Sequence, residues 1–248
     1  MTENSAAPGG RPVGEPLPDW LPPPPPSRET MRGQYCRLEA LDPDQHAAAL
    51  FDCFAGGGGD WLYLPYGPFG DFDGFSGWMR DICLADDPLF FAIISEADQA
   101  VLGVASFLRI APSNGSIEVG HIHYSESLKR TPAATEAMFL MMRHAFELGY
   151  RRYEWKCDAL NARSRAAAER LGLTYEGTFR QATIYKGRNR DTAWYATIDR
   201  EWPALHGAIC QWLDPQNFNA DGQQLSSLRD LVSSALDHPR RNEATRPG

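Results

Sequence analysis

Residues 89–124, LFFAIISEADQAVLGVASFLRIAPSNGSIEVGHIHY, decide the fold class of this chain. They contain three runs rich in β-branched and aromatic residues: LFFAIISE, VLGVASFLRIA and SIEVGHIHY. Such runs, bounded by Gly, Pro, Asn, Asp and Ser, are typical of strands. The short ADQA segment between the first two runs fits a hairpin loop. Strands in immediate succession predict an antiparallel meander rather than a sheet of parallel strands.

A helical pattern follows the meander and leads to further strands. Apolar residues recur at helical spacing from Pro132 to about Leu148, and Gly149 ends the run. RRYEWKCDA is then a predicted strand, NARSRAAAERLG a helix, and residues 175–199 two strands around a KGRN turn. Upstream, a strand at 35–40 precedes two short helices. The chain is therefore predicted to form an α/β domain with a mixed, mostly antiparallel, seven-stranded sheet flanked by helices.

Both ends of the chain differ from this domain in composition. Residues 1–31 are rich in proline and predict an extended, flexible tail in which Trp20 and Leu21 are candidate anchors. An alternative role for this tail is a polyproline ligand for a partner domain. Residues 32–202 are predicted to be the folded domain, and residues 203–248 a helical extension that ends in a frayed tail.

Composition narrows the function classes. The net charge of −8 argues against nucleic-acid binding, because neutralising phosphates needs a basic face. The five cysteines are scattered without a C-x-x-C pair, which favours reduced thiols over disulfides or a metal site. No apolar run approaches the ~20 residues that span a membrane, and the N-terminus lacks an apolar signal core. We expect a cytoplasmic protein that binds no nucleic acid, no membrane and no metal.

The helix that begins at Pro132 has an electropositive start. Thr131 is a suitable N-cap, and Pro132 fits the first helical position. Lys129 and Arg130 stand just before it, so an anion would be held well there. The alternative is an ordinary capped helix with two solvated cations. Glu136 is predicted to lie on the polar, outward side of this helix.

Residues 161–202 resemble the GNAT superfamily of acyl-CoA-dependent N-acyltransferases, and most closely its branch with RimJ and RimL. The matching motifs are Asn161 with Ser164, Leu171-Gly172-Leu173, Glu176-Gly177, and Gly187 with Asp191. The predicted order of strands and helices is also similar to that family. The resemblance extends over roughly residues 33–202.

The resemblance implies an acyl-CoA-dependent N-acetyltransferase. Acetyl-CoA, or another acyl-CoA, would be the co-substrate, and a primary amine would attack its thioester directly. The amine could belong to a protein N-terminus, a lysine or a small molecule. A homodimer is a further expectation from the family. Two alternatives are a CoA-binding or sensing module without catalysis, and a relative that has lost CoA binding.

In this family a loop at a helix start holds the pyrophosphate of CoA. Alignment on the segment Thr135-Glu136-Ala137 assigns that role to Lys129, Arg130, Thr131, Pro132, Ala133, Ala134 and Thr135. Pro132 replaces a glycine of the family pattern and removes one N–H donor. Lys129, Arg130 and the Thr131 hydroxyl are expected to compensate. The strand that ends near Tyr124 is expected to contribute to CoA binding and to offer a backbone N–H to the thioester oxygen.

Three residues are candidates for the general base. Glu118 lies eleven residues before Lys129, the spacing at which histone-acetylating members place their glutamate base. His121 and His123 are the alternatives, because histidine titrates near neutral pH. Strict strand alternation predicts that Glu118 and Gly120 share a face with Ile122 and Tyr124, and that Val119 and both histidines face the other side.

The helix that begins near Asn161 carries the remaining candidates. Ser164 matches the residue that meets the CoA sulfur in the Rim branch, and Asn161 matches a contact to the pantetheine arm. Either side chain could instead cap the helix. The position of the tyrosine acid used by many other members is Ala168, so that acid is excluded.

The aromatic segment at 59–75 is the predicted acceptor-binding region. Its counterpart in the family joins the first two helices and lines the acceptor pocket. Trp61, Tyr63 and Tyr66 are expected to form an aromatic wall around the amine. The alternative is a loop whose aromatic residues only pack against each other.

Overall fold

The computed structural model describes residues 11–55 and 60–244. Within these ranges, eight strands form a single sheet, and seven were predicted. The strands are β1 (Met31–Arg32), β2 (Cys36–Ala40), β3 (Leu89–Ser95), β4 (Val101–Ala111), β5 (Ser116–Tyr124), β6 (Arg152–Asp158), β7 (Thr174–Tyr185) and β8 (Arg188–Ile198). The prediction missed β1 because two residues are too few for a periodic pattern. The parts of the predicted tails at 1–10 and 245–248 lie outside the described residues.

The sheet confirms the predicted meander. Its strand order is β1-β2-β3-β4-β5-β6-β8-β7. Neighbouring strands are antiparallel except β5 and β6, which run parallel. That parallel pair is the product of the crossover helix between them, as expected for two parallel strands joined along the chain.

Helices cover both faces of the sheet. They are α1 (Pro43–Phe54), α2 (Phe72–Ile82), α3 (Pro132–Glu147), α4 (Ala162–Arg170), α5 (Trp202–Leu213) and α6 (Leu228–Ala244). One apolar core joins the sheet to α3, α4, α5 and α6, and a second joins it to α1, α2 and the loop between them. Among the described residues, no helix is long and apolar enough to cross a membrane.

A bulge in β5 overturns the predicted alternation of its side chains. Its register against β4 skips from Ser106↔Gly120 to Val104↔His123, and His121 adopts a left-handed φ of 51°. The extra residue reverses the parity of the strand. Val119 before the bulge and Ile122 after it both face the α3 core.

Beyond the bulge, the histidines therefore face the α1 and α2 side. His121 contacts Phe90, and His123 contacts Phe54. Glu118 alternates with the core residue Val119, so it lies on that same side. The bulge thus brings all three candidate bases onto one face, where strict alternation would have separated them.

Glu136 is buried, which overturns its predicted place on the outward face of α3. It is 4% exposed, and its carboxylate accepts hydrogen bonds from the backbone N–H groups of Gln34, Tyr35 and Cys36 at 2.7, 2.6 and 2.8 Å. The carboxylate lies so close to Gly33 that a Cβ there would clash with it. Glu136 therefore fastens α3 to the turn between β1 and β2.

The described part of the proline-rich segment packs along the domain. Glu15 pairs with Arg200 at 2.6 Å, and Trp20 approaches the turn at Gly115. Leu21, the second predicted anchor, is 80% exposed and does not serve as one. Arg28 donates to the backbone oxygen of Leu84 at 2.9 Å, just after α2.

Candidate active site

A cleft opens where β5 and β6 separate. The two strands pair only over Ser116–Val119 and Arg152–Trp155. Beyond that point β5 continues beside β4, and β6 continues beside β8. The separated halves therefore have no ladder partner on their inner edges, and an extended ligand chain can lie between them and use their main-chain groups.

The start of α3 lies at the end of this cleft. Thr131 is its N-cap: the hydroxyl oxygen accepts from the Ala134 N–H at 3.3 Å and donates to the Leu128 oxygen at 2.7 Å. Pro132 has no N–H to lose, so the Ala133 N–H is the first-turn donor that the cap leaves available. Arg130 holds a left-handed φ of 62°, which turns the chain into the helix. The anion seat at this helix start stays a prediction, and these features are compatible with it.

Besides Arg130, two cations have contacts near this seat, and one of them was not anticipated. Lys129 pairs with Glu126 at 2.7 Å. Arg170, at the end of α4, donates to the Thr135 hydroxyl at 2.6 Å and lies over the Trp212 ring. Burial lowers the pKa of Arg170. Sequence reasoning missed Arg170 because its distance from Thr135 along the chain hides their contact.

The side chain of Tyr124 contacts the first turn of α3. It is partly buried, and its hydroxyl donates to the Ala134 oxygen at 3.3 Å. Burial raises the pKa of Tyr124, so the phenol keeps its proton. Its side chain thus fastens the end of β5 to α3.

Glu118 lies in a buried network of charges. It is 3% exposed and contacts Lys156 at 2.8 Å and Arg109 at 2.7 Å. Lys156 also contacts Glu154 at 2.7 Å and lies 3.7 Å from the centre of the Trp194 ring. Burial raises the pKa of Glu118, and the two cations oppose that shift. Both carboxylate oxygens are therefore already engaged with cations.

His121 contacts the aromatic segment at 59–75, the predicted acceptor-binding region, which we call the acceptor loop. Its Nδ1 lies 2.8 Å from the Tyr66 hydroxyl oxygen, and the two rings stack at 5.6 Å. Burial lowers the pKa of His121 to about 4, and the charge of Arg109 acts in the same direction. His121 is therefore neutral at pH 7. Burial also raises the pKa of Tyr66, so this phenol stays protonated.

The rest of the predicted aromatic wall divides into core and cleft residues. Trp61 is 4% exposed and stacks on His123 at 3.9 Å, so both rings belong to the α1 and α2 core. Tyr63 is half-buried and donates to the Leu160 oxygen at 3.3 Å, beside the start of α4. Tyr63 and Tyr66 are thus the two of the three aromatic candidates with a link to the cleft.

The hairpin of β7 and β8 closes the far side of the cleft. Lys186 lies in the turn of this hairpin and donates to the backbone oxygen of Trp61 at 2.7 Å. The Tyr185 hydroxyl donates to Asp158, the last residue of β6, at 2.8 Å. Together with the Tyr63 contact, these bonds tie the acceptor loop to the opposite wall of the cleft.

Asn161 and Ser164 begin α4 at the cleft edge. Asn161 is the N-cap, and its side-chain oxygen accepts from the Ser164 N–H at 3.1 Å. The Ser164 hydroxyl oxygen accepts from the Trp155 indole N–H at 2.9 Å. Burial raises the pKa of the Cys157 thiol, and a hydrogen bond from the Ser164 hydroxyl opposes that shift. Ala168 is fully buried in the core that joins the sheet to α3, α4, α5 and α6.

Comparison with known proteins identifies relatives. Residues 37–174, more than half of the chain, match the family described as acetyltransferase (GNAT) domain. A GCN5-related N-acetyltransferase from Brucella melitensis has a similar structure, with a TM-score of 0.86 and 44% identity, over 88% of this chain and 100% of that one. A probable GNAT-family acetyltransferase from Chromobacterium violaceum ATCC 12472 has a TM-score of 0.74 and 42% identity, over 79% of this chain and 100% of that one.

A curated relative is more distant. The ribosomal-protein-serine acetyltransferase of Escherichia coli (strain K12) is 32% identical over 109 residues. The match covers 44% of this chain and 59% of that protein, so the chain spans less than two thirds of this relative's length.

Proposed function

This chain belongs to the GNAT acetyltransferase family, and from that premise we propose that it is a member of the branch with RimJ and RimL and moves an acetyl group, or another acyl group, from CoA to a primary amine. GNAT acetyltransferases use acetyl-CoA. The observation that carries the proposal is the separation of β5 from β6 beside the N-terminus of α3. An open strand edge and an anion seat at its end suit a ligand with an amide chain and a pyrophosphate.

The acyl-CoA would lie along this cleft. Its pyrophosphate would occupy the start of α3, held by the Ala133 N–H, the helix dipole and the nearby cations. Its amide arm would run between the separated strands toward Asn161 and Ser164. The Ser164 proton would then be available to the departing sulfur. Backbone N–H groups of the bulged segment of β5 would stabilise the developing oxyanion.

The geometry favours His121 over Glu118 as the proton acceptor. Both Glu118 oxygens contact cations, whereas His121 is neutral at pH 7 and reaches the acceptor loop through Tyr66. In the productive tautomer, Nδ1–H donates to the Tyr66 oxygen, and Nε2 keeps its lone pair for the ammonium proton. The free amine attacks the thioester carbonyl, and the C–S bond breaks. The sulfur takes the Ser164 proton and leaves as the thiol of CoA, and the attacking nitrogen, now an amide, returns a proton to Ser164.

A peptide amino terminus is the acceptor class that we propose first. The name of the Escherichia coli relative places its acceptor serine on a ribosomal protein. A lysine or a small amine would be the alternative outcome of an acceptor screen. An acceptor of this kind also supports a cytoplasmic location. The expected homodimer stays a prediction that light scattering would test.

A thermal-shift titration with acetyl-CoA, succinyl-CoA and free CoA, joined to a thiol-release assay with an amine panel, tests the proposal. We expect stabilisation by each CoA compound and thiol release that depends on an amine. Stabilisation without turnover by any amine would identify the rival function, a CoA-binding or sensing module. No stabilisation by any of the three compounds would exclude both functions.

A further inference from the structure

Arg190 lies on β8, just past the end of β6, on the face of the sheet that packs against α1 and α2. The last pair between β6 and β8 is Asp158↔Thr192. Arg190 is two residues farther along β8, so it lies on the same face as Thr192 and Trp194. Trp194 marks this face as the one that carries the Glu118 network, because Lys156 lies over its ring. Arg190 therefore projects over the gap where β6 has ended and α4 has not begun.

The guanidinium of Arg190 has an unmet hydrogen-bonding capacity. The Cζ atom of this guanidinium lies 5.8 Å from the centre of the Tyr185 ring. Its Nε is buried and has no hydrogen-bond partner, and within 11–55 and 60–244 no carboxylate forms an ion pair with it. Asp158 is nearby but accepts from Tyr185 and from the Leu160 N–H instead. A buried donor without an acceptor is costly, and a ligand that supplies an acceptor would remove that cost.

The charge of Arg190 reaches both walls of the cleft. Burial lowers the pKa of His121 on β5, and Arg190 contributes to that shift. Burial raises the pKa of the Cys157 thiol on β6, and Arg190 opposes that shift. A single cation that acts on residues of both separated strands lies close to the place where the acyl group and the amine would meet.

We propose that Arg190 binds a carboxylate carried by one of the two substrates. A guanidinium presents parallel N–H groups that match the two oxygens of a carboxylate. The carboxylate has two sources: an acidic group on the amine acceptor, or the distal carboxylate of a succinyl-type acyl chain. This inference rests on the proposed function and gives that function a substrate class.

Kinetics with matched substrate pairs test the inference. With acetyl-CoA, β-alanine is compared with β-alaninamide; with a neutral amine, succinyl-CoA is compared with acetyl-CoA. Wild-type protein should prefer the charged member of one pair. Arg190→Gln should lower kcat/KM for that member by about 10- to 100-fold, and that of its neutral analogue by less than about threefold. Arg190→Lys should fall between, because an ammonium keeps the charge but loses the planar fork.

Arg180→Gln is the matched control. Arg180 is exposed and lines a groove with Asn189 and Asp191, the two residues that alternate with Arg190 along β8. For each substrate pair, Arg180→Gln should leave unchanged the ratio of kcat/KM for the charged member to kcat/KM for its neutral analogue. Wild-type protein that prefers neither charged substrate, or an Arg190→Gln variant that slows charged and neutral substrates equally, would overturn the proposal.

A binding measurement separates this inference from the catalytic proposal. Succinate should stabilise wild-type protein in a thermal-shift titration and have a smaller effect on Arg190→Gln. Succinate binding that depends on Arg190, without turnover of any pair, would refute the acyltransferase function alone. Turnover together with equal succinate binding by both proteins would refute the role of Arg190 alone.

Discussion

The Tyr66 hydroxyl oxygen lies 2.8 Å from Nδ1 of His121, so one hydrogen bond joins the acceptor loop to the bulged strand. These two residues are 55 positions apart in the chain. Because the phenol stays protonated and the imidazole is neutral at pH 7, the bond fixes the ring of His121 without charging it.

His121 should make the folded state sensitive to acid. Burial lowers its pKa from 6.5 to about 4, so the unfolded chain binds more protons between these values. Stability from this group is therefore present above pH 6.5 and is lost as the pH falls toward 4, by about 3 kcal/mol in total. Urea unfolding at several pH values should show a smaller acid loss for His121→Gln. Parallel curves for the two proteins would contradict the shifted pKa.

Glu118→Gln should separate a structural role from a catalytic one. The change leaves Lys156 and Arg109 without their shared carboxylate, and we expect a loss of about 2–4 kcal/mol in unfolding free energy. If Glu118 only positions charges, kcat should fall less than about tenfold; a general base would cost about 10²–10⁴-fold. Glu176→Gln, at an exposed ion pair with Arg152, is the control. A larger fall in kcat with unchanged stability would restore Glu118 as the base.

Arg170→Gln should weaken CoA binding. Its guanidinium contacts Thr135 in the first turn of α3, so it contributes positive charge to the seat of the pyrophosphate. We expect about a tenfold rise in Kd, measured by calorimetry at a temperature where the variant is folded. Arg163→Gln, an exposed arginine on the same helix, should leave Kd unchanged. Equal Kd values for the two variants would remove Arg170 from the site.

Glu136→Gln should destabilise the fold without touching the cleft. A glutamine amide keeps only one acceptor oxygen for the three backbone N–H groups that the carboxylate now serves, at a cost of about 1–3 kcal/mol. Denaturant unfolding should show this loss, and Glu147→Gln, an exposed site on the same helix, should not. A loss of similar size in the control would show that the buried contacts carry no special weight.

Local patterns were enough to predict most of the fold. The three strands of the meander, the start of α3 at Pro132 and its Thr131 cap follow from residue preferences that act over a few positions. The resemblance of residues 161–202 added the family, which the match over residues 37–174 confirms. These features are short-range, so they are visible in the sequence itself.

The remaining site features depend on contacts that no local pattern records. The bulge at His121 is a single extra residue, which strict alternation cannot detect. The contact between Arg170 and Thr135 joins two helices that lie far apart in the chain. Glu136 was misplaced because a helical pattern treats a charged residue as exposed, whereas here three N–H groups compensate its burial.

The bulge in β5 also limits how this strand can change during divergence. Deletion of His121 would restore strict alternation and leave Ile122 and Tyr124 on the α3 side, but the hydrogen bond to Tyr66 would be lost. Loss of the bulge without a deletion would instead turn Ile122 and Tyr124 to the other face and His123 toward the α3 side. A descendant that keeps both the His121–Tyr66 bond and the apolar face of this strand must therefore keep the extra residue.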